Sequence, residues 1–214
     1  MSLKDFFSRK SSKKPVAPPQ EPDGRLSLND ETFAGLIQMF CSQAGSGAKA
    51  KEGTLPAALS RAREGRTAKN VYDVAFSLYA ILRPFQIHFM AGGEDLFDDS
   101  VRKMKVLAEE AAGMDGADAN ACNLAGIINA DTWGFKNSEM YIEGQGSVDL
   151  GYKERALASA SDLPAALKWF EKGMALAGES EIGTVCRANA LRAQREIAAA
   201  QNNNGLRSEP PTPS

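Results

Sequence analysis

Apolar side chains recur along this chain at helical rather than strand spacing. In "LNDETFAGLIQMFCSQAG" the residues Phe33, Leu36, Ile37 and Phe40 stand at i, i+3, i+4 and i+7, the stripe of an amphipathic helix. Asn29 or Asp30 supplies its cap and Gly45 its stop. "NVYDVAFSLYAILRPFQIHF" carries Val71, Val74, Ala75, Leu78 and Leu82 on several faces, which predicts a central, mostly buried helix. Pro84 lacks an amide proton and predicts a kink or an end near Leu82 or Arg83. "SVRKMKVLAEEAAG" predicts a helix capped by Asp99 or Ser100 and closed at Gly113. "ADANACNLAGIINA" predicts a helix of small residues, and "SEIGTVCRANALRAQREIAAAQ" a long last helix. No sustained period-2 alternation interrupts these segments, and good helix formers dominate them.

One pattern is written twice. Shifted by 108 residues, Thr54-Leu-Pro-Ala-Ala-Leu59 falls on Asp162-Leu-Pro-Ala-Ala-Leu167, and Gly65 falls on Gly173. "DSVRKMKVLAEEA" fits between them with Ser100 in the capping position. Each copy opens on a residue whose side-chain oxygen can accept from a free first-turn amide. Pro56 and Pro164 follow in the first turn, where a missing amide costs little. Leu163, Ala166, Leu167 and Phe170 line one helical face. A helix with such a stripe needs a neighbour, so three of them separated by other helices predict a stack of helical hairpins.

"MYIEGQGSV", Met140 to Val148, stands before the last copy. Together with Asp162, Ala166, Leu167, Trp169, Phe170, Lys172 and Gly178, the residues Met140, Tyr141, Gly144, Gly146 and Val148 resemble the signature of Sel-one-like repeats, a branch of the tetratricopeptide type. The resemblance covers Met140 to Gly178, is degenerate, and is weaker for the copies at Thr54 and Ser100. It implies that Met140 and Tyr141 end a first helix and that the two glycines turn the chain into the next. Trp169 and Tyr141 would then fill the gap between neighbouring helices. The implied architecture is an all-α solenoid of stacked antiparallel hairpins.

Composition narrows the class. The chain has 214 residues, 43% hydrophobic and 24% charged, the balance of a globular protein. Residues 1–25 read as an N-terminal amphipathic motif followed by a Pro-rich disordered linker, "SRKSSKKPVAPPQEPDG". Residues 26–201 form the expected helical-repeat domain, and 202–214 a disordered C-terminal tail. A formal net charge of −2 implies no chain-wide attraction to nucleic acid. The N-terminus lacks the apolar core of a secretory signal, so a cytoplasmic location is the default expectation. In that compartment Cys41, Cys122 and Cys186 read as reduced, partly buried thiols.

Candidate chemistry is sparse. Glu94, Asp95, Asp98 and Asp99 cluster in "GGEDLFDDS", but their spacing is not that of a calcium loop. The positive end of a following helix explains them better. His88 stands among Phe85, Ile87 and Phe89 and reads as a packed residue. "GSGAKAKEG", Gly45 to Gly53, lacks the Gly-Lys-Ser/Thr of a phosphate loop and reads as a connector. Asn129, Asp131, Trp133 and Asn137 form a polar, aromatic stretch able to line a binding face. No catalytic, cofactor-binding or metal-ligating set emerges, and no cofactor is expected.

The resemblance implies a non-enzymatic adaptor that binds a protein or peptide partner through its helical-repeat surface. The alternative is a peripheral membrane component or translocated effector directed by its N-terminus. Leu3, Phe6 and Phe7 stand at i, i+3 and i+4 among Lys4, Arg9, Lys10, Lys13 and Lys14, which suits weak contact with an anionic membrane through residues 1–14.

Overall fold

The computed structural model describes residues 21, 23–43, 55–85, 94–134, 139–142, 146–149 and 157–205. The expectations for residues 1–20, Thr54, the 45–53 connector, His88, Asn137, Gly144 and residues 206–214 lie outside them, as do the side chains of Cys41 and Tyr141. Among the described residues seven helices run α1 Asp30–Gln43, α2 Leu55–Glu64, α3 Ala68–Phe85, α4 Glu94–Gly113, α5 Ala119–Ala130, α6 Leu163–Ala177 and α7 Glu181–Gly205.

Local chemistry explains several of the helix starts. Asn29 Oδ1 accepts from the Thr32 amide at 2.9 Å, so Asn29 is the cap of α1. Asp118 and Asp162 cap α5 and α6 through Ala121 and Ala165, at 2.9 and 3.0 Å. Pro56 and Pro164 both occupy the second helical position, and Ala58 and Ala166 behind them are both fully buried. The two copies are therefore alike in the place of the proline and in the buried alanine behind it. Their glycines are not. Gly65 follows the end of α2, whereas Gly173 lies buried in mid-helix and Gly178, at φ 57°, closes α6.

Two expectations are corrected at the helix ends. Neither Asp99 nor Ser100 caps α4, which starts at Glu94. The acidic run lies inside the first two turns, where the helix dipole favours it. Asp99 there pairs with Lys103 and Arg102. Pro84 lies in the last turn of α3, which ends at Phe85, close to the expected Arg83. The last helix continues past Gln201 to Gly205, and the described residues begin before Leu26. At that beginning Arg66 donates to Glu110 at 2.8 and 2.9 Å and to the Leu26 carbonyl at 2.9 Å. Its third nitrogen lies 3.0 Å from Glu21, close enough for charge attraction though not aligned as a hydrogen bond. Leu26 and Leu28 are buried behind this clamp.

The stretch that resembles a repeat turn is not one. Glu139–Ile142 (β2) pairs antiparallel with Gly146–Asp149 (β3), bringing Met140 opposite Val148. Tyr, Ile and Val favour extended backbone, and here cross-strand pairing takes the place of a helix end. A second ribbon joins Trp133–Gly134 (β1) to Leu157–Ser159 (β4). The fold is otherwise helical among the described residues.

The helices pack in sequence: α2 on α3, α3 on α4, α4 on α5, α5 on α6, α6 on α7. In addition α5 touches both α3 and α7. The main core joins α1 to α5 through Phe33, Leu59, Val74, Leu78, Met104, Leu107 and Ile128. A smaller one between α6 and α7 holds Ala166, Phe170, Ala190 and Ala193. Lys103 is a charged group inside the assembly. Its ammonium donates to the Thr32 carbonyl, pairs with Asp99 and lies 5.5 Å from the Phe33 ring centre, tying α1 to α4.

Candidate interaction face

Side-chain pairs fix how α3, α5 and α7 run. Tyr72 near the start of α3 lies in the field of Asp118 at the start of α5, while Arg83 at the end of α3 pairs with Asp131 at the end of α5. The two helices are therefore parallel. Cys186 lies 3.9 Å from the Ala119 carbonyl, the Asn189 amide donates to Asn123 Oδ1 at 2.9 Å, and Arg192 lies in the field of Asp131. Thus α7 runs parallel to α5 on its other side.

On α5 the open positions form one stripe. Asn120 is exposed, and Asn123, Ile127, Ala130 and Asp131 are half-buried; the other positions of the helix are buried. Helix α3 offers Tyr72, Phe76, Tyr79 and Arg83 beside it. Those residues are spaced i, i+4, i+7 and i+11, on the flank that reaches α5 through Arg83 and Asp131. Helix α7 offers Asn189, Arg192 and Glu196 opposite.

The face is aromatic at one end and charged at the other. The Tyr72 and Phe76 rings stack at 5.9 Å and 19°, and Phe76 remains 48% exposed. Lys69 lies 5.5 Å from the Tyr72 ring centre. Burial, with Asp118 and Asp73 nearby, pushes the Tyr72 phenol above its ordinary value. Near the far end, Arg83 pairs with Asp131 and Arg192 with Glu196 at 2.8 Å. The Glu196 hydrogen bond and charge, assisted by Asp131, raise the Arg192 pKa. Between these charges lies a cavity of ≈ 50 Å³ lined in part by Ile127, Phe170, Asn189 and Ala193. That admits a few waters, against the several hundred Å³ of usual small-molecule pockets.

The polar, aromatic stretch divides. Asp131 reaches the face. Asn129 is 1% exposed and donates to Glu109 and to the Ala125 carbonyl. Trp133 is wholly buried, with its indole N–H on the Ile128 carbonyl at 3.0 Å and its ring edge-on to Tyr79. It is a core residue, which corrects its reading as a binding-face residue. Trp169 is only half-buried, packed on the main core, with Lys168 and Lys172 at 5.3 and 5.7 Å from its ring centre.

Tyr72, Phe76, Arg83, Asn123, Asn189, Arg192 and Glu196 were not singled out by sequence reasoning. The available signal was a second stripe on α3, aromatic and Arg-ended, beside the Val and Leu stripe. Among the described residues no three His, Cys, Asp or Glu side chains converge as metal ligands, and no helix is long and apolar enough to cross a membrane. Comparison with protein-family models, with curated proteins and with solved structures gives no match.

Proposed function

We propose that this chain is a non-enzymatic adaptor whose α3–α5–α7 face receives a protein or peptide segment. The observation that carries the reading is one open stripe on each of three parallel helices, with the exposed Phe76 at its aromatic end. An antiparallel stack of hairpins would generate such a face, since alternate helices then come side by side. Exposed aromatics beside paired polar groups suit an apolar anchor held by hydrogen bonds at its edge. The small cavity suits a side chain better than a metabolite.

The test is affinity capture with the full chain and with Phe76→Glu, a substitution on an exposed side chain. A specific partner retained by the wild type and lost by the folded variant supports the reading. Identical capture by both rejects this face.

A further inference from the structure

We propose that the face has an occupant within the same chain: residues 1–14 dock on the aromatic end, against Phe76 and Tyr72. The proposal rests on the preceding reading of the face, and adds that the N-terminal segment competes for it.

Three observations carry it. First, the face offers apolar surface: Phe76 is half exposed and backed by the Tyr72 ring. The segment offers Leu3, Phe6 and Phe7, which a helical turn gathers on one side.

Second, the charges match. Residues 1–14 carry Lys4, Arg9, Lys10, Lys13 and Lys14 against Asp5 alone. At the aromatic end, Asp118 acts on Tyr72, and Asp115 is exposed in the turn leading to it. Glu181, exposed in the first turn of the parallel helix α7, faces solvent at that same end. The nearest cation of α3, Lys69, is already paired with Asp73.

Third, the segment is tethered beside its target. Arg66 lies 3.0 Å from Glu21 and grips Glu110, which fixes the emerging chain next to the start of α3 at Ala68. Tyr72 and Phe76 stand four and eight residues further along, about 6 and 12 Å at a helical rise of 1.5 Å. The fourteen steps from Glu21 back to Phe7 hold Pro15, Pro18 and Pro19, so they span between the roughly 20 Å of a flexible chain and a maximum near 50 Å, enough to reach both rings. A tether of that length keeps the segment at an effective concentration in the mM range, so even weak contacts are occupied.

The experiment uses the full chain, a chain lacking residues 1–14, and a synthetic peptide of residues 1–14. Docking predicts slower amide exchange over 69–80 in the full chain than in the truncated one. It also predicts saturable binding of the peptide to the truncated chain, at least tenfold weaker for Phe76→Glu and weaker again at high salt. Partner capture should rise on truncation. Equal exchange in both chains overturns the proposal, as does peptide binding that ignores Phe76→Glu. Capture of the full chain by anionic phospholipid vesicles, with unchanged exchange at 69–80, assigns the segment to a membrane instead and also overturns it. Partner capture that depends on Phe76 but not on truncation rejects the tail while keeping the face, so the two readings fail separately.

Discussion

Gly126 of α5 lies under the ring of Phe170 of α6: a Cβ built on this glycine would stand 2.5 Å from the ring's Cδ1 and nearer still to Cε1. The glycine is what lets α5 and α6 approach as closely as they do. Alanine there gains up to about 1 kcal/mol of helix propensity. It must also displace a buried ring, and overpacking costs about 1–3 kcal/mol. Gly126→Ala should therefore lower the urea midpoint, and Phe170→Leu in the same chain should recover part of the loss. Additive effects of the two substitutions would show that the glycine is not there for the ring.

The two tryptophans should behave differently. Trp133→Ala removes a wholly buried indole and its bond to Ile128, for an expected loss of about 3–5 kcal/mol. Trp169→Ala, at a half-buried site, should cost distinctly less. Single-tryptophan variants check the placement directly: Trp133 emission should resist acrylamide, and Trp169 emission should be quenched.

Burial pushes the Cys122 and Cys186 thiols above their ordinary value of 9.0. The folded state then holds protons that the unfolded chain releases. The associated stability is complete below that ordinary value and is lost as pH rises through the folded-state values. Tyr72 acts in the same direction from its own ordinary value of 10.0. Urea midpoints should hold steady near neutrality and fall in alkali, with a shallower fall for Cys186→Ala. Ellman's reagent should reach both thiols only as fast as the protein opens.

Glu110 holds the entry of the chain through Arg66. Glu110→Gln keeps the shape but removes the charge from hydrogen bonds worth about 1.5–3 kcal/mol in comparable cases. Amide exchange around Leu26 and Leu28 should accelerate more than exchange in α5 and α6. A uniform change across the chain would mean that the clamp secures the whole fold rather than its first segment.

The helices were legible because their signals are local. Caps at Asn29 and Asp162, prolines in the first turn and apolar stripes all lie within a few residues of what they control. The start of α4 was misplaced because an acidic run suits both the approach to a helix and its first turn. Trp133 was misread because polar neighbours surround it in sequence, while Tyr79, far away in the chain, encloses it. Met140 to Val148 was misread because Tyr141, Ile142 and Val148 suit a paired strand, a preference that the match to a helix end overrode. The face itself exists only where three separate helices meet, and no single stretch encodes that meeting.

The connection from α5 to α6 is closed at its neck. Trp133 pairs with Ser159, and the Asp162 amide donates to the Asn129 carbonyl at 2.7 Å. The chain therefore leaves and re-enters the helical body at almost one point. Changing the length of such a loop costs only about 0.6 kcal/mol per doubling. The neck works as a socket: a foreign domain, an epitope or a spectroscopic reporter inserted between Gly134 and Leu157 would ride on the helices without asking them to move.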